Sequence, residues 1–127
     1  MWIFTNKGFL SVVRHRDKRN HLLVRARENG VLEEIFGPNY TDERCVIEEN
    51  PDADYRFRTV VHEGYFRQVM NYHIDEITYD NFKNSIPPDK ADYHDACMDV
   101  WSTMHRLQES VWNPEGSGLF KLHKKYK

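Results

Sequence analysis

Two cysteines in 127 residues, Cys45 and Cys97, with no CxxC pair, leave no disulfide framework to build. That scarcity points to a reducing compartment, and the expected location is the cytoplasm. Long apolar runs are also missing. No stretch reaches the roughly 18 consecutive apolar residues of a membrane span. The opening Met1-Trp2-Ile3-Phe4-Thr5-Asn6-Lys7 lacks the charged segment, apolar stretch and cleavage site of a secretory leader. Nor is there a surplus of one charge: 18 basic residues face 20 acidic ones, for a net charge of −2. A broad hold on duplex nucleic acid is thereby disfavoured, and a compact anion suits the balance better. The sequence contains no HExxH, GxSxG, P-loop or GxGxxG. Among the seven histidines, His62, His73, His94 and His105 follow no ligand spacing, so neither a metal nor any other cofactor is expected. Neither cysteine sits in a nucleophile turn, and the doublets Glu48-Glu49 and Asp75-Glu76 diverge on any regular element. The chain therefore reads as a binder and not an enzyme. It has no internal repeat and no low-complexity segment.

What is present is an ordinary globular composition, 39% hydrophobic and 30% charged, with 7 Phe, 7 Tyr and 3 Trp for packing and stacking. Residues 2–5 and 9–15 read as strands joined by a hairpin at Asn6-Lys7-Gly8. A charged loop over 16–20 leads to a third strand at 21–27. Asn29-Gly30 opens a short helix over 31–36, stopped by Gly37-Pro38. After a polar loop at 39–44, residues 45–49 form a short strand, and a turn at 50–54 leads to another at 55–60. The period then changes. Phe66, Val69, Met70, His73, Ile74 and Ile77 recur at helical spacing, followed by a break at 78–80 and a short segment that Pro87-Pro88 ends. Tyr93, Ala96, Cys97, Val100, Trp101, Met104 and Leu107 then mark a long helix with Asp89 placed to cap it. The expected architecture is α+β: an antiparallel sheet of about five strands with two to three helices on one face, as one domain over 1–112. A linker and basic tail follow at 113–127.

Two of these strands each carry a pair of arginines two residues apart, Arg25 with Arg27 and Arg56 with Arg58. A side-chain period of two throws each pair onto one strand face. In matching register the four would form one guanidinium-rich surface, the natural partner of phosphate or carboxylate. The bland alternative is that each arginine is paired with a nearby acid on a solvated face. Tyr79, Asn81 and Phe82 cluster at the helix break, where an aromatic could stack on a base while an amide reads its edge. Equally, Phe82 could pack under the helices and Asn81 cap a turn. On the last helix Trp101 borders the apolar stripe, with His94 and His105. Arg106 is either a further phosphate ligand or a partner for Asp99.

Met1-Trp2-Ile3-Phe4-Thr5 with Gly8-Phe9, Val24-Arg25-Ala26-Arg27, Pro51-Asp52-Ala53-Asp54-Tyr55 with Arg58, Tyr79-Asp80-Asn81-Phe82-Lys83, and the run from Tyr93-His94 to His105-Arg106 resemble a widespread family of small bacterial and phage proteins. Within it the chain is most similar to the phage anti-Thoeris sponges. The resemblance implies a non-catalytic phage protein, acting in the host cytoplasm, that sequesters a cyclic ADP-ribose signal or a cyclic oligonucleotide and blocks antiphage defence. It also implies a homodimer or larger assembly, with Arg25 and Arg106 matched to phosphate contacts, Tyr79 or Phe82 to base stacking, and Asn81 to the amide. Two other readings stay open. The acidic stretch 48–54 could mask a basic surface on a host defence enzyme, or His94 or His105 could serve a small nucleotide-processing enzyme as acid or base.

Overall fold

The hairpin forms around Thr5. In a computed structural model describing residues 1–37, 43 and 45–112, β1 (Trp2–Thr5) and β2 (Gly8–Arg14) pair antiparallel. The Thr5 hydroxyl accepts from both Lys7 N and Gly8 N at 3.1 Å, which closes the turn. Glycine at position 8 answers to space. A Cβ there would lie 2.5 Å from Cγ1 of Val31 in the short helix α1 (Val31–Phe36). That helix begins after Gly30, whose φ of 84° suits glycine.

Strands β3 (His21–Ala26), β4 (Ile47–Glu49) and β5 (Phe57–His62) complete a five-stranded antiparallel sheet in the order β1-β2-β3-β5-β4. The fold is α+β as expected, with two strands shifted. The strand expected at 45–49 begins at Ile47, and the one expected at 55–60 runs two residues later. The turn between them causes the shift: Asn50 N donates to Arg56 O at 2.8 Å and Ala53 N to Asn50 O at 3.1 Å, leaving Tyr55 and Arg56 ahead of the strand.

The chain divides into two compact units, Met1–Ser85 and Ile86–Lys127. In the first, α1 and α2 (Glu63–Asp75) cover one face of the sheet. Leu10, Val12, Val24, Ala26, Phe57 and Val61 meet Leu32, Ile35, Phe36, Phe66 and Val69 in the core. Each fully buried large side chain contributes about 1.5–3 kcal/mol. The two helices are also tied together: His73 Nε2–H donates to the Ile35 carbonyl at 2.6 Å, satisfying an acceptor in the last turn of α1. The register puts Trp2, Phe9, Ser11, Arg25 and Arg58 on the opposite face. The short helix α3 (Phe82–Ser85) ends this unit.

The second unit opens with a 3-10 turn at Pro88–Lys90 and continues as α4 (Ala91–Trp112). The spacing of its apolar stripe holds, but burial does not follow it throughout. Tyr93 and Cys97 are buried, while Val100, Trp101 and Met104 are 38%, 53% and 55% exposed. Helical period says which residues share a face, and burial depends on what that face meets. Among the described residues no helix is long and apolar enough to cross a membrane. Most of the polar loop expected at 39–44, and the linker and tail at 113–127, lie outside the described residues.

Candidate functional site

Of the four arginines expected to share a surface, Arg25 and Arg58 meet where β3 pairs with β5. The pairing sets Arg25 directly opposite Arg58, with Ser11 across from Arg25 on β2 and Glu48 across from Arg58 on β4. Like charges facing each other across a ladder destabilise it. Yet among the described residues neither guanidinium forms an ion pair with a carboxylate. Arg25 Nη2 donates to Ser11 Oγ at 2.9 Å and Arg58 Nη2 to the Tyr55 carbonyl at 3.3 Å. The Nε–H groups of both arginines are buried without a hydrogen-bond acceptor among the described residues. A buried donor left unsatisfied costs about 1–3 kcal/mol, so each has an unmet demand for an acceptor.

Tyr55, 5% exposed, is the floor of this site. The guanidinium carbons of Arg25 and Arg27 lie 4.6 and 4.1 Å from its ring centroid, within cation–π range. Phe9 braces the tyrosine at 6.4 Å, and Phe4 stacks on Phe9 at 4.7 Å. The loop geometry that displaced Tyr55 from the strand thus gives the arginines a rigid aromatic support.

Arg27 and Arg56, just beyond the ends of β3 and β5, are answered by acids. Arg27 Nη1 donates to the Asp54 carbonyl at 2.8 Å and to its carboxylate at 3.1 Å. Arg56 Nε and Nη2 both reach Glu49 Oε1 at 2.8 Å. For these two the solvated ion pair describes the geometry, whereas Arg25 and Arg58 keep capacity for a ligand.

The other expected contacts fall elsewhere. Tyr79 lines a cavity of about 220 Å³ with Ile3, Met70 and Ile74, at 6.3 Å from the Phe82 ring. Asn81 Oδ1 accepts from Asn84 N at 3.1 Å, so it caps α3. Trp101 and Arg106 belong to the second unit. Trp101 stacks flat on His105, centroids 5.2 Å apart, and Arg106 donates to Thr103 Oγ1 at 3.1 Å and not to Asp99. Among the described residues there is no cluster of three potential metal ligands.

Sequence reasoning missed Tyr55, Ser11 and the pair His21 and His62. The histidines had a readable signal: His21-Leu23-Arg25 and Arg58-Val60-His62 each keep the period of two, so both rings fall on the arginine side. Shifted carboxyls lie outside the site. The Arg14 guanidinium bonded to Glu63 and the Lys7 ammonium bonded to Glu76 each hold a carboxyl below its usual range. Burial pushes the Cys45 thiol up, in keeping with an inert core cysteine. Comparison with known proteins brings no relative to this arrangement: no protein family, no curated protein and no solved structure matches the chain.

Proposed function

We propose that this protein binds a phosphate-bearing nucleotide without transforming it and acts by sequestration. A cyclic signal of the ADP-ribose type, captured by a phage protein in its host, is the instance the sequence resemblance implies. The observation that carries the reading is the Arg25–Arg58 pair, two guanidiniums opposed across a ladder with no carboxylate between them and a buried tyrosine beneath. An anion relieves their repulsion and accepts from the partly exposed ends of the two side chains. The aromatic floor holds the fork in place, and preorganisation of this kind raises affinity by lowering the ordering cost. A homodimer or larger assembly enclosing the ligand belongs to the same proposal.

The test is to incubate purified protein with cyclic ADP-ribose isomers and cyclic di- and trinucleotides, remove unbound ligand, denature with heat and identify what is released by mass spectrometry. An intact nucleotide, retained by the parent and lost in Arg25→Ala and Arg58→Ala, is the expected result. Recovery of a cleaved product would replace sequestration with catalysis. Recovery of nothing would reject nucleotide binding. Light scattering with and without ligand reads the assembly state.

A further inference from the structure

Beyond the end of β4 the edge of β5 borders a cavity of about 530 Å³, within the range of small-molecule sites. Arg58 lines it, and so do Lys18, His21, Glu48 and His62. His21 and His62 are cross-strand partners, with ring centroids 5.2 Å apart and edge to face. Backbone groups assign their tautomers. His21 Nδ1 lies 2.8 Å from the Arg19 carbonyl, which can only accept, so Nδ1 carries the proton and Nε2 keeps its lone pair. His62 Nδ1 accepts the Gly64 N–H at 2.9 Å as the N-cap of α2, so in the neutral ring Nε2 carries the proton.

The two rings therefore respond differently to an anion. His62 offers a neutral Nε2–H donor and resists a second proton, because protonating Nδ1 would sacrifice the helix cap. His21 can take a second proton at Nε2 while keeping its bond to Arg19. The fixed charges lining the cavity give the reason it would. Among the described residues lining the cavity, Lys18 and Arg58 are balanced by Glu43 and Glu48, so with neutral imidazoles a dianion meets no net positive charge from them. Glu63, which also attracts His62 electrostatically, is bonded to Arg14 at 2.8 Å and lies 3.6 Å from Arg67, and His15 Nδ1 accepts from the N–H groups of Asp17 and Lys18 at 3.1 and 2.8 Å.

We propose that His21 and His62 form a phosphate subsite in this cavity, next to Arg58, and that phosphate binding there draws one proton onto His21 Nε2. The subsite deepens the phosphate reading above and rests on it for its biological ligand, but it is testable separately, since Arg25 does not line the cavity.

Long-range nitrogen–proton NMR spectra of the histidine rings test it, with inorganic phosphate titrated into the parent protein at constant pH and chloride as the control for ionic strength. In free protein His21 is expected as the Nδ1–H form and His62 as the Nε2–H form. Phosphate should move His21 toward imidazolium while His62 stays neutral. With the pH held well above the second ionisation of phosphate, so that the ligand enters as the dianion and brings no proton of its own, calorimetry in buffers of different ionisation enthalpy should register close to one proton taken up. His21→Asn and His21→Gln should abolish that uptake and weaken phosphate binding about tenfold. Saturation without proton uptake, or ring signals that phosphate leaves unmoved, would overturn the proposal. If Arg25→Ala abolishes nucleotide binding while phosphate leaves His21 silent, the phosphate reading stands and this subsite falls. If His21 responds and Arg25→Ala changes nothing, the subsite stands and the Arg25–Arg58 reading falls.

Discussion

The two faces of the sheet solve opposite problems with the same strands. On one, Val24, Ala26 and Val61 are at most 1% exposed and meet α1 and α2 with no charge among them. On the other, alternate residues of β3 and β5 set two guanidiniums against each other. Apolar packing accounts for the first face apart from Thr59, whose hydroxyl is buried there. The second keeps an electrostatic cost that the fold does not need, since just beyond the strand ends Arg27 and Arg56 are answered by Asp54 and Glu49. On the proposed function, a sequence that can supply acids there and does not do so opposite Arg25 separates stability from recognition by a single strand thickness.

If that separation is real, damage to the faces should read out differently. The largest effect is expected from Phe36→Ala, which empties the core between α1 and α2 and should cost about 3–5 kcal/mol in urea unfolding. Nucleotide affinity per folded molecule should stay near that of the parent. Next come Arg25→Ala and Arg58→Ala: losing a charged hydrogen-bonding partner, about 1.5–3 kcal/mol, should weaken nucleotide binding from about tenfold to more than a hundredfold in calorimetry. Their stability should be unchanged or slightly raised as the opposed charges are removed. Arg27→Ala and Arg56→Ala, whose pairs are exposed, should shift binding and stability by less than about 1 kcal/mol each. Unfolding of the Arg58→Ala protein would break the comparison, because Arg58 would then be structural.

Gly8→Ala probes the core face at its tightest contact and should cost about 1–3 kcal/mol, since Val31 must give way to the new methyl group. A second change, Val31→Ala, should recover part of that loss and so localise the clash. The smallest effect concerns acid. Lys7 holds the Glu76 carboxyl below its usual range, so folded protein binds that proton less readily than unfolded chain. The pair's stabilisation is therefore complete above the ordinary carboxylate value, about 4.3, and is lost as pH falls through the lower folded value. Lys7→Met should flatten the decline in Tm over that window. The change will be slight, because the Glu76 side chain is 41% exposed.

How far this division was legible in the sequence depends on distance along the chain. The alternation in 21–27 and the arginine spacing placed Arg25 and Arg58 on strand faces, while Arg27 and Arg56 fall just beyond the strand ends, and the Val31–Phe36 helix was bounded by Gly30 and Gly37 at its observed limits. What could not be read was which arginine faces which. β3 and β5 are neighbours in the sheet but are separated in the chain by α1 and β4, so no hairpin set their register. The same limit hid His21 opposite His62. Tyr55 reads as a strand residue because its β propensity is real, while the Asn50–Arg56 bond that closes the turn ahead of β5 depends on the geometry of the whole loop over 50–56. For Asn81, local chemistry prevailed, and its amide caps a helix.

The exposed tryptophans determine which optical signal can report any of this. Trp2 is 71% and Trp101 53% exposed, so their indoles sit in largely aqueous surroundings before the chain unfolds. Their emission will already be red-shifted in the native protein and will move little on denaturation. Trp101 lies flat against the His105 ring on the same helix, with an interplanar angle of 2°. A folding midpoint is therefore better taken from far-ultraviolet circular dichroism than from the emission of these two indoles.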